Sequence, residues 1–318
     1  MVKIVSLGEL LIDFTPGKPT PTGEPTFTQN PGGAPANLLV AAAKFGAEGA
    51  FIGKVGPDAF GDFLAAALKE RRIGTSGLVR SPSVGTTLAF VHLSESGERS
   101  FSFYRNLGAD MTLTPDEVNL ALVKSARIFH FGSLSLTHPE PYAATLLALQ
   151  TAKEAGAIIS FDPNYRAQLW PSPAKFQETL KPFWPLIDIL KVSEEESRLL
   201  TDQGPTEALK TLAAWGPKVV LISLGPLGAG YLTPYGLGAV KAPKVKVVDT
   251  TAAGDAFFGA FLGRLATLGG ELSALDDPQI SSEILAVAVA AGSLTCQKKG
   301  AFPAIPDSAA VLELAQRL

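Results

Sequence analysis

The sequence predicts an α/β protein: a mostly parallel sheet with helices on both faces, and a small β-sheet set apart from it. Two observations carry this. From about residue 120 onward, short β-branched runs alternate with helical stretches, the rhythm of βαβ units. Before that, the segments 14–31 and 85–110 break the rhythm and supply a discontinuous β lid to a single body spanning 1–318.

Taken in chain order, FTPGKPTPTGEPTFTQNP (14–31) is too rich in proline to be a helix. QNPGGAPANLLVAAAKFGA (29–47) offers a glycine pair for close backbone approach, then an Ala-rich helix with Asn37 near its start. GTTLAFVHLSESGERSFSFYR (85–105) reads as a hairpin around Ser-Glu-Ser-Gly. Alternation in its second arm puts Phe101 and Phe103 on one face and Ser102 and Tyr104 on the other. Strand-like ARIFHFGS (126–133), AIISFDPN (157–164), IDILKVS (187–193) and KVVLISLG (218–225) then alternate with helical patterns, the last leading into a GPLGAG turn. In such sheets ligands bind beyond the carboxyl ends of the strands, where Asp162, Asn164 and Ser193 to Glu196 fall.

Composition narrows the function. With 46% hydrophobic and 18% charged residues the chain reads as soluble and globular, and a net charge of −3 leaves no footprint for nucleic acid or a membrane surface. A single cysteine, Cys296, excludes an internal disulfide and points to a reducing, cytoplasmic setting. Three scattered histidines and no CxxC argue against zinc. The opening MVKIVSLGELLIDF carries acids within its apolar stretch and does not read as a signal peptide.

VVDTTAAGDAFFGAF (247–261) holds the chemistry. A strand ending at Val248, a turn of small residues and a helix starting near Gly254 aim free backbone N–H groups at one point, where the helix dipole favours an anion. There is no Walker lysine, so Asp255 at the helix mouth is placed to accept a proton from an attacking hydroxyl. The plainer alternative, a helix-start acid worth about 0.3–1 kcal/mol, does not explain the small residues crowded before it.

GGAPAN (32–37) and DTTAAGDAFFGAF (249–261), about 210 residues apart, resemble the two signatures of the ribokinase-like (PfkB) family of sugar kinases. The resemblance runs along essentially the whole chain. It implies a three-layer α/β/α body with a β-sheet lid, ATP and Mg²⁺ as cofactors, and transfer of the γ-phosphate to a sugar hydroxyl. By position, Asp255 resembles the catalytic base, and the amides of Ala252, Ala253 and Gly254 resemble the anion hole. The family usually has Gly at 252; alanine is at ease there at negative φ and strained at positive φ. Asp13, Gly32, Gly33 and Asn37 match sugar contacts. SEEE (193–196) stands where the family has Asn-x-x-Glu: Ser193 replaces the Asn, while Glu196 is retained as the acid tied to Mg²⁺, and Lys191 precedes them on the nucleotide side. Gly225 and Gly228 resemble the glycine turn beside the nucleotide, and Val289 stands in the wall of the adenine pocket where many relatives have Asn. A monovalent cation (K⁺) site near Asp249 stays open.

FYRNLGAD (103–110), FDPNYRAQLWPS (161–172) and KVSEEE (191–196) together are most similar to fructokinases, which implies transfer to O6 of D-fructose. In that reading Arg105 extends from the lid toward the sugar, while Asn164 and Arg166 lie at the phosphoryl-acceptor region. The competing substrate is 2-keto-3-deoxygluconate, whose carboxylate would want more cations in the pocket. A non-catalytic sugar or nucleotide sensor on the same fold is the reading from another class. The resemblance further implies a homodimer formed through the lid, with the aromatic hairpin either at that interface or closed over its own substrate.

Overall fold

The computed structural model describes residues 3–93, 99–234 and 236–318. Its strands are β1 (Lys3–Leu7), β2 (Leu11–Pro16), β3 (Phe27–Gly32), β4 (Glu48–Val55), β5 (Gly74–Arg80), β6 (Leu88–Leu93), β7 (Arg99–Tyr104), β8 (Ile128–Gly132), β9 (Ile158–Asp162), β10 (Ile189–Ser193), β11 (Val219–Ser223), β12 (Ala229–Thr233) and β13 (Gly236–Val240). The helices are α1 (Ala34–Lys44), α2 (Ala59–Glu70), α3 (Leu120–Lys124), α4 (Pro139–Glu154), α5 (Pro173–Leu180), α6 (Glu194–Thr201), α7 (Pro205–Ala214), α8 (Ala253–Thr267), α9 (Pro278–Thr295) and α10 (Ser308–Ala315). Among the described residues none is long and apolar enough to cross a membrane.

Nine strands form one sheet in the order β13-β12-β11-β10-β9-β8-β1-β4-β5, parallel from β11 to β5 with an antiparallel edge. Both faces are covered, which is why its strands read as continuous apolar runs. Val219 and Leu221 of β11 enter one core with Leu38, Phe258, Phe261 and Leu285. Val220 and Ile222 enter the other with Leu149, Phe176, Leu180 and Leu212. From β1 the chain builds the sheet toward β4 and β5, then returns to β8 and grows the opposite way. The crevice expected at such a switch point opens beyond the ends of β1 and β8.

The second sheet has the order β3-β2-β6-β7. Its register sets Asn30, Asp13, Ala89 and Phe103 in one row, and Gln29, Phe14, Phe90 and Ser102 in the next. Neighbouring rows face opposite sides, so Asp13 and Phe103 share a face. The other face is aromatic: Phe14 stacks on Phe90 at 4.8 Å, with Phe27 and Tyr104 edge-on to Phe90 at 5.5 and 5.4 Å. The alternation expected in the hairpin therefore holds for Phe103 and Tyr104. Its Ser-Glu-Ser-Gly turn and the Phe101 side chain lie outside the described residues.

α1 and α8 pack against each other without side chains between them at two points. A Cβ on Gly259 would come 2.4 Å from Leu38 O, and one on Gly263 would come 2.8 Å from Ala42. This close approach brings the two helix starts together at the crevice.

Candidate active site

A cleft of about 540 Å³ lies between the ends of the central strands and the inner face of the small sheet. Asp13, Gly33, Asn37, Asn164, Arg166, Ala252, Gly254 and Asp255, all singled out in the sequence, line it. Glu9, Phe103, Leu134 and Glu195 join them.

Asp255 is in the first turn of α8 and is buried. Its Oδ2 accepts a hydrogen bond from Asn37 Nδ2 at 2.7 Å. Asn37 is thus not a cap: Gly33 precedes α1, and Asn37 lies one turn in, reaching across to the second helix. Its Oδ1 is buried without a protein partner, an acceptor left over at the cleft wall. Burial raises the Asp255 pKa, opposed by Asn37, by the charges of Lys191 and Arg166, and by the Asn164 side chain.

Ala252 sits at φ 59, ψ 8, so the position is left-handed and alanine is the strained alternative. Ala252 and Gly254 line the cleft, whereas the Ala253 amide turns back to Thr250 O at 3.2 Å. Two of the three expected anion-hole residues therefore present themselves to the cleft. Asp249 closes the loop from behind, its carboxylate accepting from the amides of Thr251 (2.8 Å) and Gly300 (3.0 Å).

On the opposite wall, Gly32 exists to make room for Asp13, since a Cβ there would lie 2.1 Å from Asp13 Oδ2. Desolvation pushes the Asp13 pKa up to about 7, against Arg166 and helped by Asp255 and Asp249. Glu9 is pushed up to about 7 for the same first reason, although its own amide, the Ala34 amide and Arg105 pull the other way. Glu9 Oε1 accepts from Ala34 N at 2.9 Å and so ties the β1 end to the glycine turn. Sequence reasoning missed Glu9. Its position immediately past a parallel strand was the available signal.

A second cavity of about 330 Å³ adjoins the cleft, lined by Asn164, Arg166, Lys191, Ser193, Glu195 and Glu196 among others. Lys191 Nζ is buried and bonds Asp162 Oδ2 at 2.9 Å. A Cβ on Gly254 would come 2.9 Å from that Nζ, so the ammonium lies against the start of α8. Burial alone would lower the Lys191 pKa, but Asp162, Glu196 and Asp255 outweigh it and the pKa is raised.

The other expected site residues lie outside the cleft, each with partners of its own. Arg105 does not line the cleft: its guanidinium is buried in an ion pair with Asp110 (2.7 Å) and donates to Thr137 Oγ1 and Leu134 O, both 3.1 Å. A long side chain with five donors is held where acceptors are densest. Glu196 is committed to backbone donors, accepting from Ser193 N and Tyr165 N at 2.7 Å each, while Ser193 Oγ accepts from Glu196 N. Ser193 and Glu196 form a capping box for α6, and Glu196 also lines the second cavity, where an outer-shell role beside a hydrated Mg²⁺ stays compatible with these bonds. Val289 is part of the main core, and Gly225 and Gly228 form the β11–β12 turn; none of the three lines the cleft. Glu195, which lies between the two cavities, lines both.

A divalent cation carried on the phosphates of a nucleotide fits this wall. Among the described residues no three His, Cys, Asp or Glu side chains cluster to hold a metal. Mg²⁺, which keeps most of its waters and takes phosphate oxygens, does not need such a cluster.

Comparison with known proteins identifies the family. Residues 1–308 match the model of the pfkB family carbohydrate kinase. A curated relative, fructokinase-2 of Solanum lycopersicum, is 42% identical over 98% of this chain and 95% of its own. Among solved structures, the fructokinase of Xylella fastidiosa with bound ATP superposes at TM-score 0.88 with 36% identity, covering 99% of this chain and 98% of its own. The fructokinase of Vibrio cholerae O395 in its fructose, ADP and calcium ion bound form does so at 0.88 with 32% identity, covering 99% of each chain.

Proposed function

Because the chain belongs to the pfkB family of carbohydrate kinases, and is a sugar phosphotransferase, we propose that it moves the γ-phosphate of MgATP to the O6 hydroxyl of D-fructose. The observation that carries the substrate is the charge of the cleft: Glu9, Asp13, Glu195 and Asp255 line it against a single guanidinium, Arg166. Carboxyl groups suit a neutral polyol, since each can accept from adjacent hydroxyls, and a sugar acid would want more cations than Arg166 alone supplies. The fructokinases of Solanum, Xylella and Vibrio are similar over nearly the whole chain, which supports the same reading.

In the reaction, the fructose O6 attacks the γ-phosphorus as the bond to the bridging oxygen of ADP breaks, and Asp255 takes the O6 proton. Burial raises the Asp255 pKa and makes the carboxylate a stronger base, while Asn37, Lys191 and Arg166 oppose that rise. The amides at Ala252 and Gly254, with Lys191 against them, face the charge that develops on the moving phosphoryl group. Mg²⁺ bound to the nucleotide's phosphates supplies further charge neutralisation. Asp13 and the spare Asn37 Oδ1 receive sugar hydroxyls, under Phe103 of the small sheet.

The small sheet also supplies a dimer surface in this proposal. Phe27 and Tyr104 are exposed on its outer face, 43% and 68% accessible, while Phe103 serves the cleft. Size-exclusion chromatography with Tyr104→Glu checks this: a dimer that dissociates in the variant supports it, and a monomeric wild type rejects it.

The substrate is tested by MgATP-dependent kcat/KM for fructose, 2-keto-3-deoxygluconate, ribose and adenosine. Fructose should dominate. Preference for the keto-acid would assign Arg166 to its carboxylate and overturn fructose. Binding without turnover of any sugar would point to a sensor.

A further inference from the structure

Asp162 is buried at the carboxyl end of β9 and has two partners, both of which face Asp255. Its Oδ2 accepts from Lys191 Nζ at 2.9 Å, with both side chains no more than 5% exposed. Its Oδ1 accepts from the amide of Asn164 at 3.3 Å. Asn164 is left-handed, at φ 47, a conformation that a local bond to the preceding aspartate supports. From there Asn164 lines the cleft beside Asp255, whose pKa its side chain lowers, and Lys191 Nζ lies against Gly254, the residue before the base. One carboxylate thus fixes both groups that bring polarity to the base from this side. A buried ion pair is a poor source of stability in itself, so its retention calls for another explanation.

We propose that Asp162 is a positioning residue for phosphoryl transfer, holding Lys191 at the anion-binding helix start with one oxygen and Asn164 at Asp255 with the other. It touches neither substrate and acts only through these two side chains. The inference rests on the kinase reading with Asp255 as base. Two features separate it from a purely structural role. Neither partner of Asp162 receives a sugar hydroxyl in this account, so its loss should fall on the chemical step and not on sugar affinity. And since half of its effect passes through Lys191, the effect should shrink once Lys191 is gone.

The test is steady-state kinetics with fructose and MgATP on Asp162→Asn, Lys191→Met, the double variant and Asp255→Asn. Asp162→Asn should lower kcat about 10²-fold, the scale of losing one preorganised stabilising group, with fructose KM unchanged within about threefold. Asp162→Asn leaves a buried ammonium unpaired and is the variant at risk of misfolding. The double variant removes both charges and provides the second comparison. Added to Lys191→Met, Asp162→Asn should cost less than tenfold, the remainder acting through Asn164. Wild-type kcat in Asp162→Asn, a rise in fructose KM that accounts for its loss, or a full 10²-fold loss on top of Lys191→Met would each overturn the proposal. Asp255→Asn separates the two levels: if it keeps turnover, the kinase mechanism itself fails, whereas an inactive Asp255→Asn beside a normal Asp162→Asn refutes only this inference.

Discussion

α1 and α8 both open onto the cleft from a residue at positive φ, Gly33 at φ 109 and Ala252 at φ 59. They pack together, and their first turns meet in the Asn37–Asp255 hydrogen bond. At Gly33 there is neither conformation nor space for a side chain: ψ is 119, and a Cβ would stand 2.3 Å from Glu9 O. At Ala252 a methyl is tolerated, because φ 59, ψ 8 is the left-handed helical region that costs an ordinary residue roughly 1–2 kcal/mol. One start is fixed by contact and the other by conformation, and only the second can absorb a substitution. Strain of this kind is kept where it serves, and here it turns the backbone at the mouth of α8 toward the cleft.

Breaking the contact-fixed start should have the largest effect on stability. Gly33→Ala should cost about 3 kcal/mol or more, combining a forbidden conformation with a clash, and should show in urea unfolding together with loss of fructose binding. Cutting the link between the helices comes next. Asn37→Ala removes a bond to a charged group worth about 1.5–3 kcal/mol, so kcat/KM should fall roughly 10- to 100-fold. Because Asn37 lowers the Asp255 pKa, its loss should also move the acid limb of the pH–rate profile to higher pH. An unmoved limb would mean that Asp255 is not the titrating base.

A smaller effect reads the acids around the glycine turn. Glu9 and Asp13 each titrate at about 7 in the folded chain, against about 4 in the unfolded one. Their contribution to stability is complete below pH 4 and is lost as pH rises through 7. The ligand-free protein should therefore melt at lower temperature at pH 8 than at pH 5.5, and Glu9→Gln with Asp13→Asn should flatten that slope. The smallest effect belongs to the conformation-fixed start. Ala252→Gly relieves the left-handed strain but frees the unfolded chain, leaving a net gain of about 0.5–1 kcal/mol. Calorimetry should record a rise in Tm of about 1–3 °C, and a fall would place the strain elsewhere.

The layered sheet was legible because it rests on a local signal, apolar periodicity, whereas the pairing of 32–37 with 249–255 was implied only by the resemblance of the two motifs to one family. Where the sequence left a residue's direction open, local pattern served more than one use. Ser193-x-x-Glu196 is at once a ligand pattern and a capping box, and the same four letters serve both. Arg105 was aimed at the sugar because it ends a lid strand, but its direction is decided by Asp110 and by the Leu134 carbonyl, which only the folded chain brings near. Glu9 carries no motif of its own, and Asp162 was marked only by its place at a strand end and within FDPNYR. They matter because parallel strands end there, and that is a property of topology rather than of spacing.

The central claim is that the acid at the mouth of α8 takes the proton from the sugar while the groups around it hold the phosphate. The direct measurement is kcat of Asp255→Asn with fructose and MgATP, alongside the dissociation constants of both substrates. The account predicts a kcat loss of about 10³-fold or more with both dissociation constants within about threefold of wild type. A variant that turns over within tenfold of wild type would contradict it.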